Sequence, residues 1–234
     1  MSRKKPPVPS KPKLRVAQRV PLTRDLVLHT AIRLADANGL VDLSMRKLAQ
    51  LLGVEAMSLY NHVANKEDVL SGMVDLVAAE IALPVIDSGW GPDWRAVMRA
   101  RATSAHAVLV RHPWAALLIV SRINAGPAML SYIDATLGCL RQAGFSDQQA
   151  DHAWNAIDSY IYGFTLQELH FPLEPADYAA AASHFLPMLP AERYPHMRAL
   201  TEQVIDGSYD GLHEFTFGLD LILDGLERLR GGAR

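Results

Sequence analysis

The sequence predicts an all-α protein, and three observations support this fold class. Apolar residues recur at the three- and four-residue spacing of a helix face from Thr23 onward. Ser, Thr, Asp or Asn stands before most of these segments, where a helix N-terminus needs a side-chain acceptor, and Gly or Pro ends them. No stretch alternates apolar and polar residues for the length of a strand, and no internal repeat is present.

The first helices form a compact unit. The first begins after Thr23 and ends at Gly39, which is suited to the left-handed conformation after a helix. Ser44 caps a second helix, and Gly53 permits the sharp turn that follows it. The residues expected to face inward are Val27, Ala31, Leu34, Ala35, Leu48, Leu51, Leu52, Leu59 and Val63.

The remaining elements follow in the same way. A short third helix is expected over about 56–62, and a fourth begins after Asn65 and stops before Pro84. Asp93, Pro127 and Ser146 mark further helix starts. The segment 171–195 contains five prolines and should be loop-rich, with one short helix near 176–186. The other expected helices span 94–111, 113–120, 127–143, 146–170, 196–206 and 212–230.

Charge is unevenly distributed along the chain. Residues 1–65 contain 11 Lys and Arg against 4 Asp and Glu, whereas the rest of the chain is acidic and the net charge of all 234 residues is −2. This asymmetry predicts that only the N-terminal part meets a polyanion. Residues 1–21 hold seven basic residues and five prolines and should form a disordered arm, which is either a solvated tail or a contact to DNA.

The bulk composition excludes several classes of protein. Cys139 is the only cysteine, so an intramolecular disulfide is impossible and a reducing cytoplasm is the expected location. The basic N-terminus is followed by prolines rather than an apolar run, which argues against a signal peptide. The longest apolar stretch, 115–120, is far too short for a membrane span. No metal-binding or catalytic motif is found, so no metal, cofactor or enzymatic activity is predicted.

Residues 44–66 carry the strongest functional signal. Two short helices separated by a glycine turn match a helix-turn-helix, in which the second helix enters the DNA major groove. Basic residues suit phosphates or guanine, while hydroxyl, amide and imidazole groups suit base edges and the backbone. The candidate DNA-binding residues are Ser44, Arg46, Lys47, Ala56, Met57, Ser58, Tyr60, Asn61, His62 and Lys66.

The order and spacing of RKLAQ, LGV, SLYNHV and NK make this segment resemble the DNA-binding domain of the tetracycline-repressor family, over about 23–82. The sequence TFGLDLILDGLERL also resembles the last helix of the subgroup nearest the tetracycline repressors. The resemblance implies base or phosphate contacts by the residues that match the family, which are Arg46, Ser58, Tyr60, His62 and Lys66.

Other positions depart from the family pattern. Met45, Ala56 and Met57 replace residues with hydrogen-bonding or proline side chains, so we expect a different operator sequence. Ala82, Arg101 and Ile119 stand where tetracycline repressors carry a histidine, an asparagine and a metal-binding histidine. Because Ala82 and Ile119 cannot replace these polar contacts, we predict no magnesium–tetracycline site.

The resemblance implies that 83–234 is a ligand-binding and dimerisation domain behind a DNA-binding domain at 22–82. The helices 146–170 and 212–230 are candidates for a four-helix bundle across a two-fold axis, because a palindromic operator needs two copies. Expected seam residues, which could instead pack within one chain, are Ala153, Ile157, Tyr160, Ile161, Phe164, Phe217, Leu221 and Leu226.

The helices around the family's cavity are rich in aromatic residues and methionine, which predicts a small apolar or aromatic effector. The favoured function is a repressor released from its operator by this effector. A regulator without an effector, acting as an activator or architectural protein, and an enzyme are the alternatives. The candidate effector-binding residues are Trp94, Met98, Leu117, Leu118, Met129, Tyr132, Ile133, Trp154, Ile157, Tyr160, Ile161, Phe164 and Gln167.

Overall fold

A computed structural model describes residues 21–84 and 93–231, whose regular secondary structure is helical, with no strand among them. The all-α prediction is confirmed. The predicted basic arm lies outside the described residues except for Pro21. The helices are α1 (Arg24–Asn38), α2 (Met45–Leu52), α3 (Ala56–Leu59), α4 (Lys66–Ala79), α5 (Trp94–Arg111), α6 (Pro113–Val120), α7 (Pro127–Gln142), α8 (Asp147–His170), α9 (Tyr178–Phe185), α10 (Pro195–Asp206) and α11 (Phe215–Gly231).

Side-chain caps set the starts of five described helices, α1, α2, α4, α5 and α8. The hydroxyl of Thr23 accepts a hydrogen bond from the Leu26 amide, and Ser44 and Asn65 cap α2 and α4 in the same manner. Ser146 and Gln149 form a reciprocal capping box at the start of α8. These caps are local interactions between residues three apart, which is why the sequence alone predicts them.

Three boundaries differ from the expected ones. Helix α3 ends at Leu59 rather than near 62, because the amides of Tyr60, Asn61 and His62 bond to carbonyls three residues back and tighten the chain into turns. Helix α4 ends at Ala79 instead of continuing towards residue 84. Helix α11 begins at Phe215 rather than 212.

The N-terminal unit, which we call the reading head (residues 21–84), packs α1 against α2 and α4. Leu48, Leu59 and Val63 are buried at its centre, as expected. Leu51, however, is 54% exposed, so its predicted core position is wrong. Leu48 and Leu52 stand four residues apart and occupy the inward stripe of α2, which leaves Leu51 at the edge of an open groove beside α1.

In the C-terminal half, α8 runs through the centre and packs against α5, α6, α7 and α11. Helices α9 and α10 pack mainly on each other. The reading head joins this half through α4, which contacts both α6 and α7, and one continuous apolar core includes residues of both halves. No described helix is both long and apolar enough to cross a membrane.

Candidate nucleic-acid interface and effector domain

The predicted DNA-binding residues lie on α2, on α3 with the turn after it, and at the start of α4. Arg46, Lys47 and Lys66 are exposed, and no salt bridge engages any of them in the described part of the chain. Among the residues after the turn, Met57, Tyr60 and Asn61 are exposed, and Ala56, Ser58 and His62 are half-buried. This surface therefore presents exposed cations beside side chains that can donate or accept hydrogen bonds.

Gly53 sets the angle between α2 and α3. Its φ of +66° lies in the left-handed region, which favours glycine, and its amide donates to the Gln50 carbonyl. The Val54 amide donates to the Ala49 carbonyl at 3.0 Å, which completes the closure of α2. The predicted role of Gly53 as the turn residue is confirmed.

Ser44 is committed to the cap of α2, since its hydroxyl oxygen accepts from the Lys47 amide at 3.2 Å. The hydroxyl proton stays free to donate, so the residue can still contact a phosphate. Lys66 occupies the first turn of α4, and the open amides of this helix terminus add to its positive potential.

An ion pair that the sequence did not reveal holds the turn between α3 and α4. Two guanidinium nitrogens of Arg24 donate to the two carboxylate oxygens of Asp68, at 2.8 and 2.6 Å. Asp68 also accepts from the Ala64 amide, and Arg24 reaches the His62 carbonyl. The Arg24 guanidinium lowers the pKa of the Asp68 carboxyl to about 2. The chain segment that carries Tyr60, Asn61 and His62 is thus held at its C-terminal end by Arg24 and Asp68.

Polar contacts connect the reading head to the C-terminal half. The Asp36 carboxylate on α1 meets His112 Nδ1 at 2.8 Å and accepts from the Trp114 indole at 2.7 Å. Near the end of α4, Glu80 accepts from Arg111 at 2.6 Å. At the other end of α4, Glu67 pairs with Arg122. These contacts connect α1 and α4 to residues of α5 and α6 and to Arg122 after α6.

A buried polar cluster lies between α5, α7 and α8. Arg101 is 1% exposed, and its guanidinium donates to Asp158 at 2.7 Å and to the Tyr132 hydroxyl at 2.6 Å. Thr136 makes a longer contact to the same guanidinium. The Nε of Arg101 is buried without a hydrogen-bond partner, and such an unmet donor is costly in a protein interior.

Two further side chains of α8 complete the cluster around Asp158. The Trp154 indole and the Tyr162 hydroxyl donate to the second carboxylate oxygen, at 2.8 and 3.2 Å. Burial, together with the nearby carboxylate, raises the pKa of Tyr162 above its ordinary range, so this phenol stays a donor. The spacing of Trp154, Asp158 and Tyr162, four residues apart along one helix face, is the sequence signal that could have identified the cluster.

The chain is similar to known proteins over most of its length. A family model described as the tetracyclin repressor-like C-terminal domain matches residues 89–230. The transcriptional repressor DrrR1 of Streptomyces coeruleorubidus is 36% identical over 216 residues, which cover 89% of this chain and 78% of that protein. The chain belongs to the tetracycline-repressor-like family of transcriptional regulators. This confirms the resemblance inferred from residues 44–66 and from the C-terminal helix.

Two other relatives agree. A transcriptional regulator of Saccharopolyspora erythraea is 36% identical over 180 residues, covering 70% of this chain and 75% of its own length. The crystal structure of the Streptomyces coelicolor protein ActR in complex with actinorhodin superimposes with a TM-score of 0.76 at 29% identity, over 92% of this chain and all of ActR. Both relatives named from their sequences, DrrR1 and the Saccharopolyspora protein, are transcriptional regulators.

In this tetracycline-repressor-like regulator, the predicted effector-binding residues fall into three groups by exposure. Two of the residues, Tyr132 and Trp154, also belong to the Arg101 cluster. Leu117 and Gln167 are exposed on the outer faces of their helices. The buried members are Trp94, Met98, Leu118, Met129, Tyr132, Ile157 and Ile161, and the half-buried ones are Ile133, Trp154, Tyr160 and Phe164.

Aromatic contacts organise the half-buried group. The Tyr160 hydroxyl donates to the Phe215 carbonyl, and the Phe164 and Phe215 rings lie edge to face. His106 stacks on Phe215 at 4.3 Å between ring centroids and pairs with Glu168 at 2.7 Å. The sequence does not reveal that His106 joins this aromatic group, because His106 lies on α5 and meets Phe164 and Phe215 only in the folded chain.

The positions that differ from the tetracycline repressors have structural roles. Ala82 is exposed, and its amide donates to the Ser104 hydroxyl. Ile119 is 8% exposed within the apolar core. Within 21–84 and 93–231, no group of three or more His, Cys, Asp or Glu side chains could hold a metal ion. The absence of a magnesium–tetracycline site stays a prediction.

The expected dimer seam separates into three kinds of residue. Tyr160 and Phe164 are half-buried in the aromatic group beside Phe215, and their place at a seam stays a prediction. Ala153, Ile157, Ile161 and Leu226 are buried within the single chain, so their seam assignment is wrong: each faces the central core along α8 or α11. Phe217 and Leu221 are 69% and 60% exposed on the outer face of α11. At Gly218 a side chain would meet the Tyr160 ring at under 3 Å, so α8 and α11 approach closely beside this exposed face.

Proposed function

We propose that this regulator is a homodimeric repressor that binds a palindromic operator and is released by a small molecule held in its C-terminal half. The observation that carries the DNA-binding part is the surface of the reading head. Its cations Arg46, Lys47 and Lys66 are exposed and outside the salt bridges of the described residues, so they can neutralise phosphates at no cost to an internal pair.

The roles of the remaining residues follow from their exposure. The Tyr60 hydroxyl donates to a phosphate, and Asn61 and His62 present donors and acceptors to base edges. Ser58 and Ala56 are small enough to let the helix backbone approach the groove. Met57 is 75% exposed, which suits an apolar contact to a thymine methyl rather than a hydrogen bond.

Two copies are needed to place two recognition elements one helical turn of DNA apart. The exposed Phe217 and Leu221 of α11 form an apolar patch that a second copy can cover. Helix α8, which packs against α11, offers the small exposed residues Ala156, Ser159 and Gly163 for close approach of that copy. Burial of two large apolar side chains per protomer would remove an otherwise unfavourable exposed patch.

The effector we propose is aromatic and carries oxygen substituents. The aromatic and methionine residues around the interior favour a flat apolar body. The Arg101 cluster adds a guanidinium with one unpaired N–H, to which a carbonyl, phenol or carboxylate oxygen of a ligand can bind. The related ActR has been crystallised with actinorhodin, which supports a small-molecule ligand for this chain.

The DNA-binding part is tested by selecting operator sequences from random double-stranded DNA with the wild-type protein. Tyr60→Phe should then weaken operator binding about tenfold, the value of one hydrogen bond to a charged group, while the melting temperature is unchanged. Tyr178→Phe, far from the reading head, is the matched control. Unaltered affinity of Tyr60→Phe for the operator would disprove a phosphate contact by its hydroxyl.

The effector part is tested by native mass spectrometry of the purified protein. We expect a retained small molecule with an ionisable oxygen, and addition of that molecule should lower operator affinity. The double variant Arg101→Met/Asp158→Leu removes both charges together, which should cost less stability than the loss of Asp158 alone, although the Trp154 and Tyr162 donors lose their acceptor. Retention should be lost in this variant, and thermal melting checks that it is folded. If no retained compound alters DNA binding, the regulator without an effector is the better description.

A further inference from the structure

The N-terminus of α7 has no cap of its own. Its N-cap residue is Gly126, which has no side chain, and Pro127 supplies no amide. The first turn of any helix leaves backbone amides without an internal partner. Here the Met129 amide donates to the Asp75 carboxylate of α4 at 3.0 Å. Asp75 therefore caps α7 in the way that Ser44, Asn65 and Ser146 cap their own helices, except that it reaches α7 from another helix, α4.

Gly126 creates the space that this contact needs. Its backbone, with φ of −69° and ψ of 153°, is an extended conformation open to any residue, so the glycine is not required by the backbone. A Cβ at this position would instead lie 2.2 Å from an Asp75 carboxylate oxygen and 2.3 Å from its Cγ. The pair of Asp75 and Gly126 is thus a fitted contact between α4 and α7.

The contact stands between the two functional parts of the chain. Helix α4 begins with Lys66 at the proposed DNA surface, and Asp75 follows about two and a half turns later. On α7, Tyr132 lies less than one turn beyond Met129 and is bonded to Arg101. An open cleft runs beside the cap, between α1, α4 and the segment 123–127, so apolar packing does not fully hold the two helices together here.

We propose that Asp75 is a positioning residue that couples the Arg101 cluster to the reading head, by capping α7 from α4 and so fixing the orientation of α4. A shift of α7 that accompanies any change at Tyr132 or Arg101 pulls on the Asp75 carboxylate, and α4 carries this displacement to Lys66. The coupling rests on the function proposed above, but its structural basis can be measured without DNA or effector.

Three variants separate capping from coupling. Asp75→Ala leaves α7 uncapped. Asp75→Ala/Gly126→Ser gives α7 a local cap, because a serine at the N-cap can accept from the Met129 amide itself, yet it removes the connection to α4. Gly126→Ala tests the fit, because its methyl group collides with the carboxylate of Asp75 in the wild type. Once Asp75 is replaced by alanine, only the Cβ of residue 75 remains close, at 2.8 Å.

Thermal melting measures the cap. Asp75→Ala should lower the melting temperature by about 2–4 °C. The Asp75→Ala/Gly126→Ser variant should recover about half of this loss, because its Cβ at 126 must still displace the Cβ at 75, which lies 2.8 Å away. Gly126→Ala should destabilise the wild type more than it destabilises Asp75→Ala. Failure of the added Gly126→Ser change to restore stability, or equal effects of Gly126→Ala in both backgrounds, would disprove the cross-helix cap.

Double electron–electron resonance, which measures the distance between two spin labels, tests the coupling. Labels at the exposed positions Asn61 and Gln148, introduced by Asn61→Cys and Gln148→Cys with Cys139→Ala and diluted with unlabelled protein, report the distance from the head to α8. We expect a narrow distribution when Asp75 is present and a broader or shifted one in Asp75→Ala/Gly126→Ser, although that variant is stable. A distribution that matches the wild type would show that Asp75 only stabilises α7 and would overturn the proposal.

Discussion

The reading head and the Arg101 cluster both concentrate polar side chains, but they treat them in opposite ways. In the head, Arg46, Lys47 and Tyr60 lie on the surface, where water can satisfy their hydrogen-bonding groups. In the cluster, Arg101 and Asp158 are 1% and 6% exposed, and other protein groups satisfy them except at the Arg101 Nε. Substitution of an exposed polar residue in the head should therefore cost little stability, whereas substitution of a member of the cluster should destabilise the fold.

The difference also concerns how each region responds to a partner. A surface cation exchanges counterions for phosphates without a change in packing. A buried guanidinium can accept a new partner only if its present contacts shift, and those contacts belong to α7 and α8. Binding to the cluster is thus expected to be a structural event, while binding at the head is mainly an electrostatic one.

The largest effect that separates the two regions is expected from Asp158→Ala. It leaves the Arg101 guanidinium buried without its countercharge, which should lower the free energy of unfolding by about 3–5 kcal/mol. Urea unfolding at fixed protein concentration measures this. Asp134→Ala, at an exposed position of the neighbouring α7, should change it by less than about 0.5 kcal/mol. A loss below about 1 kcal/mol at Asp158 would contradict the buried pair.

The core of the head supplies the next test. Leu59→Ala removes a fully buried side chain just before the turn that carries Tyr60 and Asn61. It should lower the free energy of unfolding by about 2–5 kcal/mol. Leu51→Ala, half exposed on α2, is its matched control and should cost well under about 1 kcal/mol. Equal losses in urea unfolding would mean that Leu51 belongs to the core after all.

The ion pair of Arg24 and Asp68 predicts a pH dependence. Because the pKa of Asp68 is about 2 in the folded protein, below its ordinary value, the pair stabilises the fold above about pH 4, and this stability is lost as the pH falls towards 2. Asp68→Asn should therefore cost about 1 kcal/mol near neutral pH, after allowance for solvent screening, and almost nothing near pH 2.

The control for this pair is Glu67→Gln, which weakens the more exposed pair with Arg122 and should cost less than about 0.5 kcal/mol at any pH. Unfolding measured between about pH 2 and pH 7 compares the two variants with the wild type. A difference between Asp68→Asn and the wild type that is independent of pH would show that charge is not what Asp68 contributes.

The smallest expected effect concerns Lys66. Lys66→Ala should weaken binding to all DNA sequences about equally and reduce the slope of log affinity against log salt by about one unit. Arg193→Ala, exposed near α10, should leave this slope unchanged. Loss of affinity for the selected operator alone would make Lys66 a reader of bases rather than of phosphates.

The sequence by itself determined the class of fold and the location of the reading head. Caps such as Ser44 and Asn65, the turn at Gly53 and the apolar spacing of each helix are interactions between near neighbours, so the printed order of residues reveals them. The order of fragments in 44–66 likewise identified the family. The candidate recognition residues could be named because a DNA-reading segment is short and continuous in sequence.

Only the tertiary structure decided which distant side chains meet. Arg101, Tyr132 and Asp158 are brought together from three helices, and Asp75 reaches the start of a helix that lies far along the chain. It also decided that Leu51 is outside the core and that Ile157 and Leu226 are inside it rather than at a seam. Helical periodicity shows that a residue lies on an apolar face, but only the packing of the helices determines what covers that face.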